Sequence, residues 1–402
     1  MGWRASLGVA ACVGLLCAGA PLLGSPTALG ARLRSGAPGA RFDPVSVTFV
    51  STTSGWALGT APCGSAGACL ALRETTDAGR TWSGRELPAA LVAAADRRSG
   101  AAVDPFAMLS VRFADRRDGW IYGALAVPPP HAGSIEPTLW STHDGGLSWR
   151  RQPLPGLGAQ RAVFDVEAAH GTVYLMAPNR STGVTVESSP VGRDSWHVSN
   201  AVPLGDPAGG GQQSGSIVLQ GSGGWLVEGN DRGTTGSARL SPSGRWVRWT
   251  PPCASVGGSF AVPAASTSTD LVAVCVMGGF ASPLSRAAPP GATLGSSWLY
   301  LSDDGGTLFR AGPELGRQGA FFGGVLATPS PGVILISRGG SAQTLAASFD
   351  GGVHWSVVYR GSLFFLGFTS PSQGVGLVQS STTTTTMIMT LDGGRHWARV
   401  SF

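Results

Sequence analysis

The stretch Thr390-Leu-Asp-Gly-Gly-Arg-His-Trp397 decides how this chain folds, because four other stretches repeat it. They are Thr75-Thr-Asp-Ala-Gly-Arg-Thr-Trp82, Thr142-His-Asp-Gly-Gly-Leu-Ser-Trp149, Ser302-Asp-Asp-Gly-Gly-Thr-Leu-Phe309 and Ser348-Phe-Asp-Gly-Gly-Val-His-Trp355. Each reads Ser or Thr, any residue, Asp, Gly or Ala, Gly, two residues, aromatic. A strand delivers the Ser or Thr, and the chain then reverses. The carboxylate is expected to accept hydrogen bonds from backbone N–H groups two or three residues on, as in an Asx-turn. The glycines supply the positive φ that the reversal needs. The aromatic residue opens the next strand and covers the turn with an apolar face. Asp77, Asp144, Asp304, Asp350 and Asp392 therefore read as hairpin staples and not as catalytic groups.

Two degraded copies fill the gap in the middle. Ser189-Pro-Val-Gly-Arg-Asp-Ser-Trp196 has Val191 where the Asp belongs, and Ser241-Pro-Ser-Gly-Arg-Trp246 is two residues shorter, with Ser243 in that place. The aromatic landmarks then fall at 82, 149, 196, 246, 309, 355 and 397, at intervals of 67, 47, 50, 63, 46 and 42 residues. A unit of roughly 42–50 residues with two insertions matches a four-stranded propeller blade. Alternating runs precede the turns, such as Val45-Ser-Val-Thr-Phe-Val50, Leu109-Ser-Val-Arg-Phe113 and Phe164-Asp-Val-Glu-Ala168. Period-two patterning predicts half-buried strands. A Gly-Trp pair opens a second strand at Gly55-Trp56, Gly119-Trp120 and Gly224-Trp225. A third strand runs into the turn and a fourth leaves it. The expected fold is all-β: a seven-bladed β-propeller of four-stranded antiparallel blades over 42–402. Closure of the ring is expected to rest on side-chain packing between the first and last blades.

The repeated turn resembles the Asp-box, or BNR, repeat. That motif is shared by sialidases, sortilin-type receptor domains, xyloglucan-degrading hydrolases and photosystem II assembly/stability factors. The layout of Phe, Gly-Trp, Gly and Thr-x-Asp-Gly-Gly-x-x-Trp looks most like the last group and the secreted bacterial proteins related to it. The resemblance covers roughly 42–402. It implies the propeller and says little about activity, because one fold hosts many functions.

Composition agrees with a protein of short strands and turns. The 402 residues include 61 glycines and 28 prolines, with 43% apolar and 13% charged residues. All 28 basic residues are arginine, and the formal net charge of +5 is spread along the chain. No arginine-rich run with interleaved aromatics occurs, so no nucleic-acid partner is expected. Arg4 followed by an uncharged stretch to Ser25 reads as an export signal or N-terminal membrane anchor over 1–30. A Pro/Gly/Ser-type linker over 31–41 follows it. The protein is expected to be secreted or extracytoplasmic, and monomeric. Beyond Cys12 and Cys17 in the leader, Cys63, Cys69, Cys253 and Cys275 make an even count that favours disulfides in an exported chain. Cys63 and Cys69 flank a small loop, and Cys253 with Cys275 would tie the end of blade 4 to blade 5. No metal or cofactor is expected, since no histidine lies near either pair.

In a propeller, turns between strands three and four share one face. Loops between strands two and three, and between blades, share the other. The long insertions 88–107, 124–137, 200–214 and 277–296 belong to that second face, where binding residues concentrate. Candidate binding residues there are Arg97, Arg98, Asp104, Glu136, Asp231, Arg232, Arg286 and Arg338. Together they read either as an arginine-bearing mouth for an acidic partner or as a solvated rim. No Gly-x-Ser-x-Gly elbow, His-Glu-x-x-His or phosphate loop occurs. The Arg-Ile-Pro segment of sialidases is missing, and Tyr122, Tyr174, Tyr300 and Tyr359 fall in predicted strands where packing is expected. No catalytic residue is assigned. The expected function is a non-enzymatic binding or assembly module for a protein or cell-envelope partner. The alternative is a carbohydrate-binding or glycoside-hydrolysing propeller, which needs two carboxylates facing one sugar.

Overall fold

A computed structural model describes residues 41–63, 67–96, 109–126, 135–153, 163–179, 183–199, 214–230, 233–256, 263–277, 285–317, 325–338, 343–380 and 384–402. The expected leader, and all of the expected linker except Arg41, lie outside the described residues. Seven antiparallel sheets of four strands each follow one another along the chain. The blades span 43–85, 109–151, 165–198, 214–248, 264–317, 326–360 and 362–399. In each, strands pair in sequence order, and first strands of neighbouring blades touch near the axis. The fold is the expected seven-bladed β-propeller.

The core is distributed among the seams between blades. Trp56, Leu58 and Leu72 of blade 1 pack with Val111, Ile121 and Trp140 of blade 2. Val272, Val274 and Leu299 of blade 5 pack with Ile334 and Ile336 of blade 6. Glycine opens second strands because a Phe ring at the end of the first strand lies on it. A Cβ at Gly55 or Gly119 would come within 2.6 or 2.5 Å of the ring of Phe49 or Phe113. The Trp of the Gly-Trp pair then reaches into the next blade. Trp56 donates its indole N–H to the Gly145 carbonyl at 3.3 Å, and Trp225 donates to Gly305 at 3.0 Å.

The alternating pattern misleads at the innermost strands, which are buried on both sides. Ser46, Thr48, Ser110, Arg112, Asp165, Glu167 and Ser216 are all buried. The reason is geometric: a blade's inner strand has a neighbouring blade against each face, so neither face meets bulk water. Buried polar groups need partners, and they find them across the seams. The Val111 amide donates to Ser46 Oγ at 3.0 Å. The Ile217 amide and the Ser216 hydroxyl both donate to Asp165 Oδ2, at 2.8 and 3.0 Å. Arg112 pairs with Glu167 across the seam between blades 2 and 3.

The five Asp turns share one geometry. The Ser or Thr hydroxyl donates to the carboxylate at 2.8 Å in all five. The same hydroxyl accepts the amide of the second glycine at 2.8–3.0 Å. The carboxylate reaches further along the chain than expected. It accepts amides three and four residues on, for example Leu147 at 3.0 Å and Ser148 at 2.9 Å from Asp144. The two-residue glycine step widens the loop, so nearer amides point elsewhere. These bonds favour the charged form. At Asp77 the Thr81 hydroxyl and amide pull the carboxyl down to about 2. At Asp392 burial works upward, but the His396 amide and ring and the Thr390 hydroxyl outweigh it and bring the group to about 2. His354 and His396 each place Nδ1 2.6 Å from their own turn's carboxylate. The closing Trp donates its indole N–H to the second glycine's carbonyl at Trp82, Trp355 and Trp397. Phe309 has no such donor, and Trp249 of blade 4 takes its place at the Gly306 carbonyl, at 2.7 Å. Ala78 stands in the first glycine position with φ 65°, where Gly145, Gly305, Gly351 and Gly393 have φ 73–80°.

The degraded turns keep the reversal without a carboxylate at its centre. In blade 3 the Ser195 amide donates to Ser189 Oγ at 2.9 Å. In blade 4 the Arg245 amide donates to Ser241 Oγ at 3.1 Å. Ring closure is by packing. Phe42 meets Phe402 at 4.6 Å between ring centroids, and Trp82 meets Phe402 at 4.8 Å. Val47, Phe49 and Ala57 share one cluster with Val375, Leu377 and Met387. The Thr385 hydroxyl donates to the Pro44 carbonyl at 2.6 Å, and Gln373 Nε2 donates to the Thr52 carbonyl at 2.8 Å. Two short helices interrupt the all-β pattern. Ala89–Asp96 opens the 88–107 insertion and buries Leu91 in the seam between blades 1 and 2. Pro252–Ser255 carries Cys253, which is bonded to Cys275 of blade 5; Cys63 is bonded to Cys69. No described helix is long and apolar enough to cross a membrane.

Candidate functional site

Hydrogen bonds fix which loops share a face. In each Asp turn the amide at the first glycine position donates to the turn between strands one and two of the same blade. Ala78 donates to the Thr53 carbonyl, Gly145 to Arg117, Gly305 to Thr269, Gly351 to Gly332 and Gly393 to Ser372, all at 2.8–2.9 Å. Those ten turns lie together. The connections between strands two and three, and between blades, therefore leave from the other end of the strands.

The structure scatters the predicted site residues that it describes. Glu136 is the second residue of the third strand of blade 2 and pairs with exposed Arg151 at 2.6 Å. Arg286 lies exposed on a turn of blade 5. Arg338 ends the second strand of blade 6, and its Nε is buried without a hydrogen-bond partner among the described residues. No described bond joins any two of these three. Arg97, Arg98, Asp104, Asp231 and Arg232 lie outside the described residues. Among the described residues no group of three or more His, Cys, Asp or Glu side chains could hold a metal ion.

Two cavities open at the end opposite the Asp turns. One, of about 270 Å³, lies on the closure seam between blades 7 and 1. Its polar lining is Arg41, Asp43 and Thr384 to Thr386, and its apolar floor includes Phe42, Met387 and Phe402. Thr384, Thr385 and Thr386 thus supply hydroxyls to a concave surface. The other cavity, of about 190 Å³, lies at the end of blade 4 between Thr234 to Ser237 and Arg248 to Pro251.

Sequence reading passed over the deeply buried acids, because they occupy positions that alternation assigns to solvent. Asp165 is 2% exposed, and Glu167, Glu187 and Glu228 are each 1% exposed. Burial pushes Asp165 up against the bonds it accepts from Ile217 and Ser216. Tyr122, expected only to pack, donates its hydroxyl to Asp165 at 3.2 Å, and burial holds its phenol well above the ordinary range. Burial also pushes Glu187 and Glu228 up to about 7. Glu228 has no partner at hydrogen-bond distance for either oxygen among the described residues, and Glu187 has none for Oε1. The available signal was a charged residue inside an otherwise apolar strand, as in Trp225-Leu-Val-Glu228.

The architecture has relatives among solved structures. A YCF48 structure from Cyanidioschyzon merolae superposes with a TM-score of 0.53 at 16% identity, covering 90% of this chain and 99% of that one. YCF48 bound to a D1 peptide superposes with a TM-score of 0.51 at 18% identity, covering 88% and 94%. A polysaccharide lyase, an ulvan lyase, gives 0.50 at 9% identity, covering 88% and 92%. These likenesses establish the fold alone. No protein-family model matches the chain, and no curated protein sequence matches it.

Proposed function

We propose that the protein is a non-enzymatic, extracytoplasmic binding or assembly module. It engages a protein partner through the face opposite the Asp turns. The observation that carries this reading is the fate of the buried carboxylates. Glycoside chemistry needs two acids facing one sugar across about 5–10 Å. Asp165 and Glu167 are instead engaged in holding blades together, and Glu187 and Glu228 are walled in at 1% exposure. Loops on a rigid scaffold, with two cavities among their strand ends, suit recognition. Two disulfides favour an oxidising compartment, in keeping with the expected export signal. The turn geometry supports membership of the Asp-box repeat group, and the YCF48 likeness supports a protein partner.

A glycan reading rests on one feature, the closure-seam cavity. Three threonines, an arginine, an aspartate and two phenylalanine rings around about 270 Å³ would suit a sugar residue. Affinity capture from the organism's own membranes, followed by a glycoside-release panel, separates the readings. One stoichiometric protein partner and no released sugar is the expected result. Sugar release by the purified protein would overturn the proposal.

A further inference from the structure

The seam between blades 2 and 3 is built differently from its neighbours. At the seams between blades 1 and 2 and between blades 4 and 5, a second-strand Trp donates its indole N–H to the next blade's Asp turn. Trp120 holds the equivalent place in blade 2, but blade 3 has a degraded turn. The Trp120 N–H has no partner among the described residues. A side-chain cluster stands in for that lock at the same end of the blades. His143, the variable residue of the blade 2 turn, places Nδ1 2.6 Å from Asp118 Oδ1 and Nε2 3.0 Å from Asp194 Oδ2. Asp194 belongs to the degraded turn of blade 3 and has a positive φ of 47°. The same Oδ2 accepts the Ser141 hydroxyl and Gln152 Nε2, each at 2.7 Å. Ser141 donates to the carboxylate and not to the imidazole, so this is no nucleophile relay.

An imidazole between two carboxylates can donate to both only when both nitrogens carry protons. A neutral ring satisfies one carboxylate and turns a lone pair toward the other. We propose that this cluster is a proton-operated clasp: protonated His143 locks Asp118 of blade 2 to Asp194 of blade 3, and loss of that proton loosens the seam.

The surrounding charges agree in direction. Burial lowers the His143 pKa, but the hydrogen bonds to Asp194 and Asp118 outweigh it and hold the group above its ordinary 6.5. Asp118 is pushed up by burial and by Asp115, against the pull of His143. The Arg117 side chain lies against the His143 carbonyl at 3.4 Å. Deeper in the seam are two bonded pairs, Tyr122 with Asp165 and Arg112 with Glu167. Glu187 lies on the same face of blade 3, directly opposite Leu175 of that seam's core. Burial pushes its carboxyl up to about 7. A raised histidine pKa gives a stabilisation that is full below about 6.5 and is lost as pH rises through the folded value. Glu187 moves the same way, since charging it inside the seam is unfavourable. The seam thus loses a cation at its surface and gains an anion in its interior over one pH interval.

Hydrogen exchange of the full chain at pH 6 and pH 8, corrected for intrinsic rates, tests this on segments 142–150 and 190–198. In the wild type, protection there should fall by about fivefold on going to pH 8, the scale of a partly exposed ion pair. The turn at 348–355 should not change with it. H143Q should be less protected at pH 6 and show only the smaller fall that ionising Glu187 causes across the interval. H143R keeps a cation between the carboxylates and should stay more protected than wild type at pH 8. An H143Q profile that parallels wild type, or an H143R protein as open as wild type at pH 8, would overturn the clasp.

Discussion

Replacing Glu228 with Gln should make this propeller more stable, and more so at higher pH. The side chain is 1% exposed and neither oxygen has a described partner. Burial raises the carboxyl from its ordinary 4.5 to about 7. The unfolded chain gives up this proton near 4.5 and the folded one only near 7. Between those values stability falls as pH rises, and above 7 the loss is complete. The interval is roughly 2.5 pH units, and at about 1.36 kcal/mol per unit the full loss is about 3 kcal/mol. Gln keeps the shape and never ionises. The variant should match wild type at pH 4.5 and exceed it by about 3 kcal/mol at pH 8. With an unfolding entropy of about 2.1 cal/mol/K per residue, that is a rise in Tm of about 4 °C for the propeller. Urea titrations of both proteins at pH 5 and pH 8 measure it, and Glu187 cancels in the comparison. An equal pH response in the two proteins would show that the Glu228 carboxyl is solvated and that the reasoning fails.

Other outcomes follow from the same geometry. Ala78→Gly removes a side chain from a left-handed position and should raise stability by about 0.5–1 kcal/mol, read as a higher denaturation midpoint. Asp392→Ala strips the amides of Arg395 and His396 of their acceptor. It should cost roughly 1–3 kcal/mol and leave partner affinity unchanged; a large affinity loss in a folded variant would place the binding face wrongly. Losing the Cys253–Cys275 bond, which spans 22 residues, should cost about 3 kcal/mol, against about 2 for Cys63–Cys69, which spans 6. Paired Cys→Ala variants compared by calorimetry should show that order.

The repeat was legible because its parts are local. Ser or Thr, Asp and the glycines bond within one turn, so spacing alone exposes them, and even Ser189–Trp196 and Ser241–Trp246 keep the aromatic landmark. Burial was less legible. Asp165 and Glu167 alternate with Val166 as a solvent-facing side would, yet a second blade lies against that side. Contacts between blades leave no periodicity in one blade's sequence. His143 illustrates the same limit: its position in the turn is unconstrained by the turn, and its meaning comes from Asp194, 51 residues away. The candidate arginines and acids of the loop-bearing face were placed on their blades by spacing. Whether they converge depends on loop paths that composition does not encode.

Each of the seven sheets is made from one uninterrupted stretch of chain, and among the described residues no strand is lent from one blade to complete another. A blade can therefore finish its own hydrogen bonding soon after its last residue leaves the ribosome. Such local pairing is the kind that forms fast. The contacts that join the first blade to the seventh, such as Phe42 with Phe402, must wait until both blades exist. Until the seventh blade arrives, the molecule is an open arc with one greasy flank at each end, and those flanks are where a nascent copy is most exposed to mispairing with another.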